Sequence, residues 1–249
     1  MMLAQPKTGK FIMNLLPDKN LILFTSALKT NFGKIDFETR CKETIEALES
    51  VRKHFPNDVI LFTDGSPFPI ENEPILQDVA KYVNAIVCWN QDGDLQNLAK
   101  DGQKSAMELL MVFKMLVALR SNPELMKLTH EIKRIWKYSS RTTLNDSFNP
   151  KEHDHFGKYV FKKRIESWMS EERKKNITDN LLITRMYSFC PSLITDYLSV
   201  LQNSFQDVLK YQIDTEHAHF KNIDKKYLVE LDTIQCQGVV AGSGELEKY

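Results

Sequence analysis

Apolar residues in this chain come in short unbroken runs separated by periodic stretches. Asn20 to Leu28 (NLILFTSAL) is one such run, ending in hydroxyls, and it suits a strand buried on both faces. After a polar loop containing Gly33, residues Phe37, Cys41, Ile45, Leu48, Val51 and Phe55 recur at steps of three and four. That spacing predicts a helix with one buried stripe, opened by Asp36 as N-cap and stopped before Pro56. Asp58 to Asp64 (DVILFTD) predicts a second buried strand, closed by Gly65, Ser66 and Pro67. A strand, a helix and a strand with short returns imply a right-handed crossover and a parallel pair.

The pattern continues with a helix over Ile75–Val83, a strand over Ala85–Asn90, a nearly uniformly apolar helix over Ser105–Leu119 and a strand over Ile132–Ser139. Beyond it, Phe161, Ile165, Trp168 and Met169 mark one face of a charged helix. Leu181–Phe189 predicts a strand, Leu193–Leu209 a strong amphipathic helix, and Tyr227–Ile234 a final strand. Gly238, Gly242 and Gly244 predict a tail that is mobile or ordered by a ligand. The whole is an α/β chain with a mostly parallel, Rossmann-like sheet flanked by helices, and no repeat or low-complexity linker divides its 249 residues.

Charge narrows the partners. Thirty-three basic residues balance thirty-three acidic ones, so the chain lacks the global field that gathers nucleic acid. Cys41, Cys88, Cys190 and Cys236 stand far apart in apolar settings and read as reduced thiols of a cytoplasmic protein rather than disulfides or a zinc site. The first twenty residues lack the continuous apolar run and small-residue cleavage site of a signal peptide, and no run is long enough to span a membrane.

In open parallel sheets, ligands sit at the carboxyl ends of the strands, where loops converge and helix N-termini point positive charge. Those ends carry Thr25 and Ser26, then Thr63 and Asp64, then Lys137, Ser139, Ser140 and Arg141. Asp64 is either a partner for a ribose or base or the opening residue of the DGSP turn. Alternation puts Lys137, Ser139 and Arg141 on one face of their strand. Two cations and a hydroxyl there fit a diphosphate, with an edge strand meeting solvent as the bland alternative. Lys104, Ser105 and Glu108 open the apolar helix, either toward a ligand or as a cap with a dipole-favoured carboxylate.

Asp214 to Phe220 (DTEHAHF) joins carboxylates and imidazoles. Glu216 reads as a general base with His217 or His219 touching the ligand, or as part of a polar helix start. Glu216 and His219 find no third metal ligand, and Asp92-Gly93-Asp94, the one literal D-x-D, reads as a turn. Phe161–Lys175 carries six cations around its apolar residues and either packs one face or rests on an anionic membrane or a phosphate-bearing acceptor.

The first strand and helix, the LFTDGS strand end, the KS-initiated helix and WKYSSRTTLND resemble a divergent GT-A-type glycosyltransferase of the kind that builds bacterial or viral surface polysaccharides. The resemblance implies a nucleotide-binding half, about residues 1–145, and an acceptor half, about 146–249. It implies a nucleotide-sugar donor, a glycan or other hydroxyl acceptor, and a Mg or Mn ion held by D-x-D after the fourth strand. This chain departs there, reading Lys137-Tyr-Ser139-Ser-Arg141, so cations stand where the metal would be held. Glu216 falls where inverting members keep the carboxylate that deprotonates the acceptor, and Thr25, Ser26, Asp64, Lys104, Lys137, Ser139, Arg141 and His217 form the expected donor site. A sugar-phosphate nucleotidyltransferase is the competing enzyme, although TSALKTNFG lacks its glycine-rich phosphate loop. A non-catalytic α/β binding module is the third reading.

Overall fold

The computed structural model describes residues 19–30, 35–123, 132–239 and 246–249; the opening segment, Gly33, Gly242 and Gly244 lie outside them. The expected strand, helix and strand are β1 (Lys19–Ser26), α1 (Phe37–His54) and β2 (Val59–Asp64). The two strands are parallel, with Leu21 opposite Val59 and Ser26 opposite Asp64. Asp36 caps α1, its carboxylate accepting from the Thr39 amide at 2.8 Å. Leu21 and Leu23 enter one core and Ile22 and Phe24 the other, so β1 is buried on both faces. Each such side chain contributes about 1.5–3 kcal/mol by leaving water.

The chain continues through α2 (Ile75–Val79), β3 (Ala85–Cys88), α3 (Gly93–Lys100), α4 (Lys104–Ser121), β4 (Ile132–Ser139) and β5 (Thr142–Leu144). It then forms β6 (Tyr159–Lys162), β7 (Ile165–Glu166), α5 (Glu171–Asn176), β8 (Asn180–Leu181) and β9 (Met186–Phe189). The last elements are α6 (Ile194–Tyr211), α7 (Thr215–Asn222), β10 (Leu228–Leu231), β11 (Cys236–Val239) and β12 (Leu246–Lys248). Seven strands make the main sheet in the order β10-β6-β9-β4-β1-β2-β3, and β9 alone runs against its neighbours. Helices α4 and α6 pack on one face, and α1 covers the other. Among the described residues no helix is long and apolar enough to cross a membrane.

Three expectations need correction. The charged helix expected over Phe161–Lys175 is absent: Phe161 belongs to β6, stacks on Tyr187 with ring centroids 4.5 Å apart, and is fully buried. Pairing of β6 with both β9 and β10 outweighs the helical spacing, leaving a helix of six residues at α5. Ile165 and Trp168, expected on the buried stripe, are exposed. The strand expected over Leu181–Phe189 is interrupted at Leu182–Arg185. Lastly, the tail around Gly238 is ordered within the protein, because β11 pairs with β5 and β12 in a three-stranded antiparallel sheet.

Strand β4 lies inside the sheet between β1 and β9, so Lys137 is not an edge residue meeting solvent. An interior strand carrying Lys137 at 1% exposure must supply that charge with partners.

Candidate active site

The carboxyl ends of β1 and β4, the first turns of α4 and α7, and the break before β9 enclose a cavity of about 300 Å³. That volume sits at the small end of the range for small-molecule sites, roughly 300–1,000 Å³. Thr25, Ser26, Lys104, Ser139, Arg141 and Glu216 line it, so residues distant in sequence converge on one space. Arg40, Arg185, Glu108 and Thr184 line it too, giving four cations, Arg40, Lys104, Arg141 and Arg185, around two carboxylates. Ala27, Gly65, Met107 and Met111 supply an apolar portion of the wall.

Backbone bonds fix the strand ends. The Ser140 amide donates to the Thr25 carbonyl at 2.9 Å, the Ser139 amide to the Arg185 carbonyl at 2.9 Å, and the Gly65 amide to the Ser26 carbonyl at 2.8 Å. Thr25 Oγ1 donates to the Tyr138 carbonyl at 3.2 Å. The Arg185 segment is thereby tied to β4, and β4 to β1.

Lys137 lies behind this wall, not on it. Its ammonium pairs with Glu108 and donates to Ser139 Oγ at 2.7 Å and to the Thr184 carbonyl at 2.8 Å. All three donors of the ammonium are used, which makes Lys137 the hub joining β4, α4 and the 184–185 segment rather than a free point charge. Glu108 consequently stays below the ordinary carboxylate range: burial would raise its pKa, but the Lys137 charge and hydrogen bond, with Lys104, outweigh that.

Glu216 has the opposite setting. Its carboxylate accepts from Thr184 Oγ1 at 2.7 Å and from Thr215 Oγ1 at 2.9 Å, and among the described residues no cation is bonded to it. Burial first, then the negative charges of Asp214 and Glu108, push its pKa above the ordinary 4.5. Arg141 faces Glu43 at 4.0 Å from a nearly buried position, its side chain 13% exposed. Among the described residues Nη1 of Arg141 has no hydrogen-bond partner, and burial, followed by neighbouring Arg40, lowers its pKa. A buried guanidinium with an unused donor is costly unless an anion completes it.

Asp64 and His217 do not reach the cavity. Asp64 accepts from the Leu28 amide at 3.0 Å and the Ser66 amide at 2.8 Å, so it fastens the loops after β1 and β2. His217 Nδ1 lies 2.6 Å from Asp214 Oδ1 and Nε2 lies 2.8 Å from Ser167 Oγ. This Asp–His–Ser chain copies the connectivity of a hydrolase triad, but Ser167 is buried and its Oγ already accepts from the Met169 amide at 3.1 Å. Its role here is to hold α7 against the 167 segment. Ser105 does not cap α4, whose N-cap is Gln103.

The D-x-D carboxylates are engaged away from the cavity. Asp92 caps α3, and Lys114 holds Asp92 at 2.5 Å and Asp94 at 3.1 Å. Among the described residues no three His, Cys, Asp or Glu side chains come together as a cation site. The cavity wall is itself cationic.

No family model and no curated protein matches the chain in sequence. Solved structures match its fold. The mannosyltransferase Ktr4p from S. cerevisiae aligns with a TM-score of 0.50 at 10% identity, over 93% of this chain and 74% of that one. The bifunctional glycosyltransferase WbbM aligns with a TM-score of 0.50 at 8% identity, over 90% of this chain and 40% of that one. The galactosyltransferase LgtC, in complex with donor and acceptor sugar analogues, aligns with a TM-score of 0.48 at 12% identity, over 85% of this chain and 72% of that one. The chain has the α/β fold of the GT-A glycosyltransferases.

Proposed function

We propose that the protein is a glycosyltransferase that takes its sugar from a nucleoside-diphosphate sugar and passes it to a hydroxyl acceptor. The observation carrying this reading is the convergence of Arg40, Lys104, Arg141 and Arg185 with Glu216 on one cavity at the carboxyl ends of parallel strands. Residues up to about 145 supply the donor half and the later residues the acceptor half, with Arg185 and Glu216 reaching across.

In this reading the diphosphate lies against the guanidinium groups, which offer paired donors matched to phosphate oxygens. The dipole of α4 adds positive potential from its first turn, where Lys104 stands. Glu216 takes the proton of the acceptor hydroxyl, whose oxygen forms a bond to the sugar carbon opposite the departing group. The bond from that carbon to the diphosphate oxygen breaks, and its electron pair leaves with the diphosphate. Charge grows on the leaving group in the transition state, which is where fixed cations contribute most. Lys137 keeps Glu108 ionised and Ser139 and Thr184 in place; it acts as a positioning residue.

Thermal stabilisation by a panel of nucleotides tests the proposal. A ligand at a hundred times its dissociation constant adds about 2.7 kcal/mol. Stabilisation by UDP, GDP or CDP supports a transferase of this type. A response confined to nucleoside triphosphates transfers the assignment to nucleotidyl transfer, and no response at all leaves a non-catalytic α/β module.

A further inference from the structure

Strand β11 and Tyr249 form a ribbon that touches Arg141 and Arg185, both of which line the cavity. Strand β11 pairs with β5, placing Gly238 opposite Thr142, the residue after Arg141. A Cβ at position 238 would lie 2.7 Å from the Arg141 carbonyl oxygen, 3.2 Å from Arg185 Nη1 and 3.3 Å from Thr142 Oγ1. The first distance is closer than real Cβ atoms come, and its partner is backbone, which cannot rotate aside. Space, not a left-handed φ, is what calls for glycine here.

Tyr249 completes the seat. Its amide donates to the Cys236 carbonyl at 2.7 Å, and its own carbonyl accepts from Thr233 Oγ1 at 2.7 Å. The ring, 6% exposed, lies with its centroid 5.2 Å from Arg185 Cζ. Arg185 belongs to the irregular stretch before β9. Its main chain is held by Ser139 and its guanidinium lies between Gly238 and the Tyr249 ring.

We propose that this ribbon is a positioning element of the anion site: Gly238 leaves room for the Arg141 backbone and the Arg185 guanidinium, and Tyr249 seats Arg185 by stacking. The inference rests on the reading of the cavity as a diphosphate site, and it makes donor affinity depend on residues that touch no part of the donor.

Calorimetric titration with inorganic pyrophosphate and with a nucleoside diphosphate tests it on the intact chain. Gly238→Ala, checked for an unchanged circular dichroism spectrum, is expected to weaken both by at least about tenfold, the scale of one charge-assisted hydrogen bond. Binding of the corresponding nucleoside without phosphates stays as in the wild type, which a general loosening of the fold would not allow. Tyr249→Leu keeps apolar filling, removes the ring face, and is expected to weaken pyrophosphate about threefold to fivefold; it carries the test if Gly238→Ala fails to fold. Pyrophosphate binding that is lost in the variants, with no nucleotide bound by the wild type, would support the ribbon's role while removing the functional reading. Wild-type pyrophosphate affinity in both variants, or no pyrophosphate binding by the wild type, overturns the inference.

Discussion

Two walls of one cavity hold a glutamate each, and they treat it in opposite ways. On the α4 side, Glu108 is paired with the buried Lys137 ammonium and held in its charged form. On the α7 side, Glu216 is bonded by the hydroxyls of Thr184 and Thr215 and is pushed toward its neutral form. The difference lies in the partner and not in the depth of burial, since burial is the leading influence on both. A carboxylate already neutralised by a lysine is a poor proton acceptor. One supported by hydroxyls, with its pKa displaced upward, is better suited to take a proton.

Removing the α7 carboxylate gives the largest expected effect. Glu216→Gln keeps the shape and both threonine contacts, and should lower the transfer rate by about 10²–10⁴-fold, the range for a positioned general base. Nucleoside diphosphate affinity should be unchanged, so paired kinetics and calorimetry separate the two steps. Next in size is Lys137→Met, which leaves Glu108 without its cation and should cost about 3–5 kcal/mol of stability in urea denaturation. The pKa of Glu108 should then rise, so that the two walls become alike.

Acidification should separate the walls by sign. Glu108, with its folded pKa lowered below the ordinary 4.5, contributes stability that is present above that value and lost as pH falls through its folded pKa. Glu216, with its folded pKa raised, costs stability above that folded value, and the cost vanishes as pH falls to 4.5. Glu216→Gln should therefore melt slightly higher than the wild type at neutral pH and equally at about pH 4. The wild-type rate should rise with pH through the displaced Glu216 ionisation, a limb that the Gln variant lacks.

The same contrast explains which parts of the molecule the residues announce. Strands β1, β2 and β4 and helices α1, α4 and α6 are legible because each satisfies a two-sided or one-striped apolar pattern without outside help. Phe161 is not, because its burial depends on Tyr187, which folds beside it from β9. Within the site, Glu216 and His217 are adjacent on a helix and so diverge by about 100°: one faces the cavity and the other Ser167. Arg40 escapes notice because a charged residue in the first turn of α1 looks solvated, yet the carbonyls of Ala27 and Ile35 capture it at 7% exposure. Arg185 did leave a trace, a cation within LLITRMYSF, and the strand breaks just there. The Lys137–Glu108 pair is set by how α4 crosses β4, which no local pattern encodes.

The central claim is that side-chain cations, Arg141 and Arg185 foremost, hold a diphosphate in this cavity. Calorimetric titration of UDP, GDP and CDP in the presence of EDTA, into the wild type and into Arg141→Ala/Arg185→Ala, tests it most directly. The account predicts that at least one of these nucleotides binds the wild type despite the chelator and loses about a hundredfold or more in the double variant, each arginine giving a charge-assisted contact of about 1.5–3 kcal/mol. Equal affinity in the two proteins, or binding that appears only when a divalent ion is restored, would contradict it.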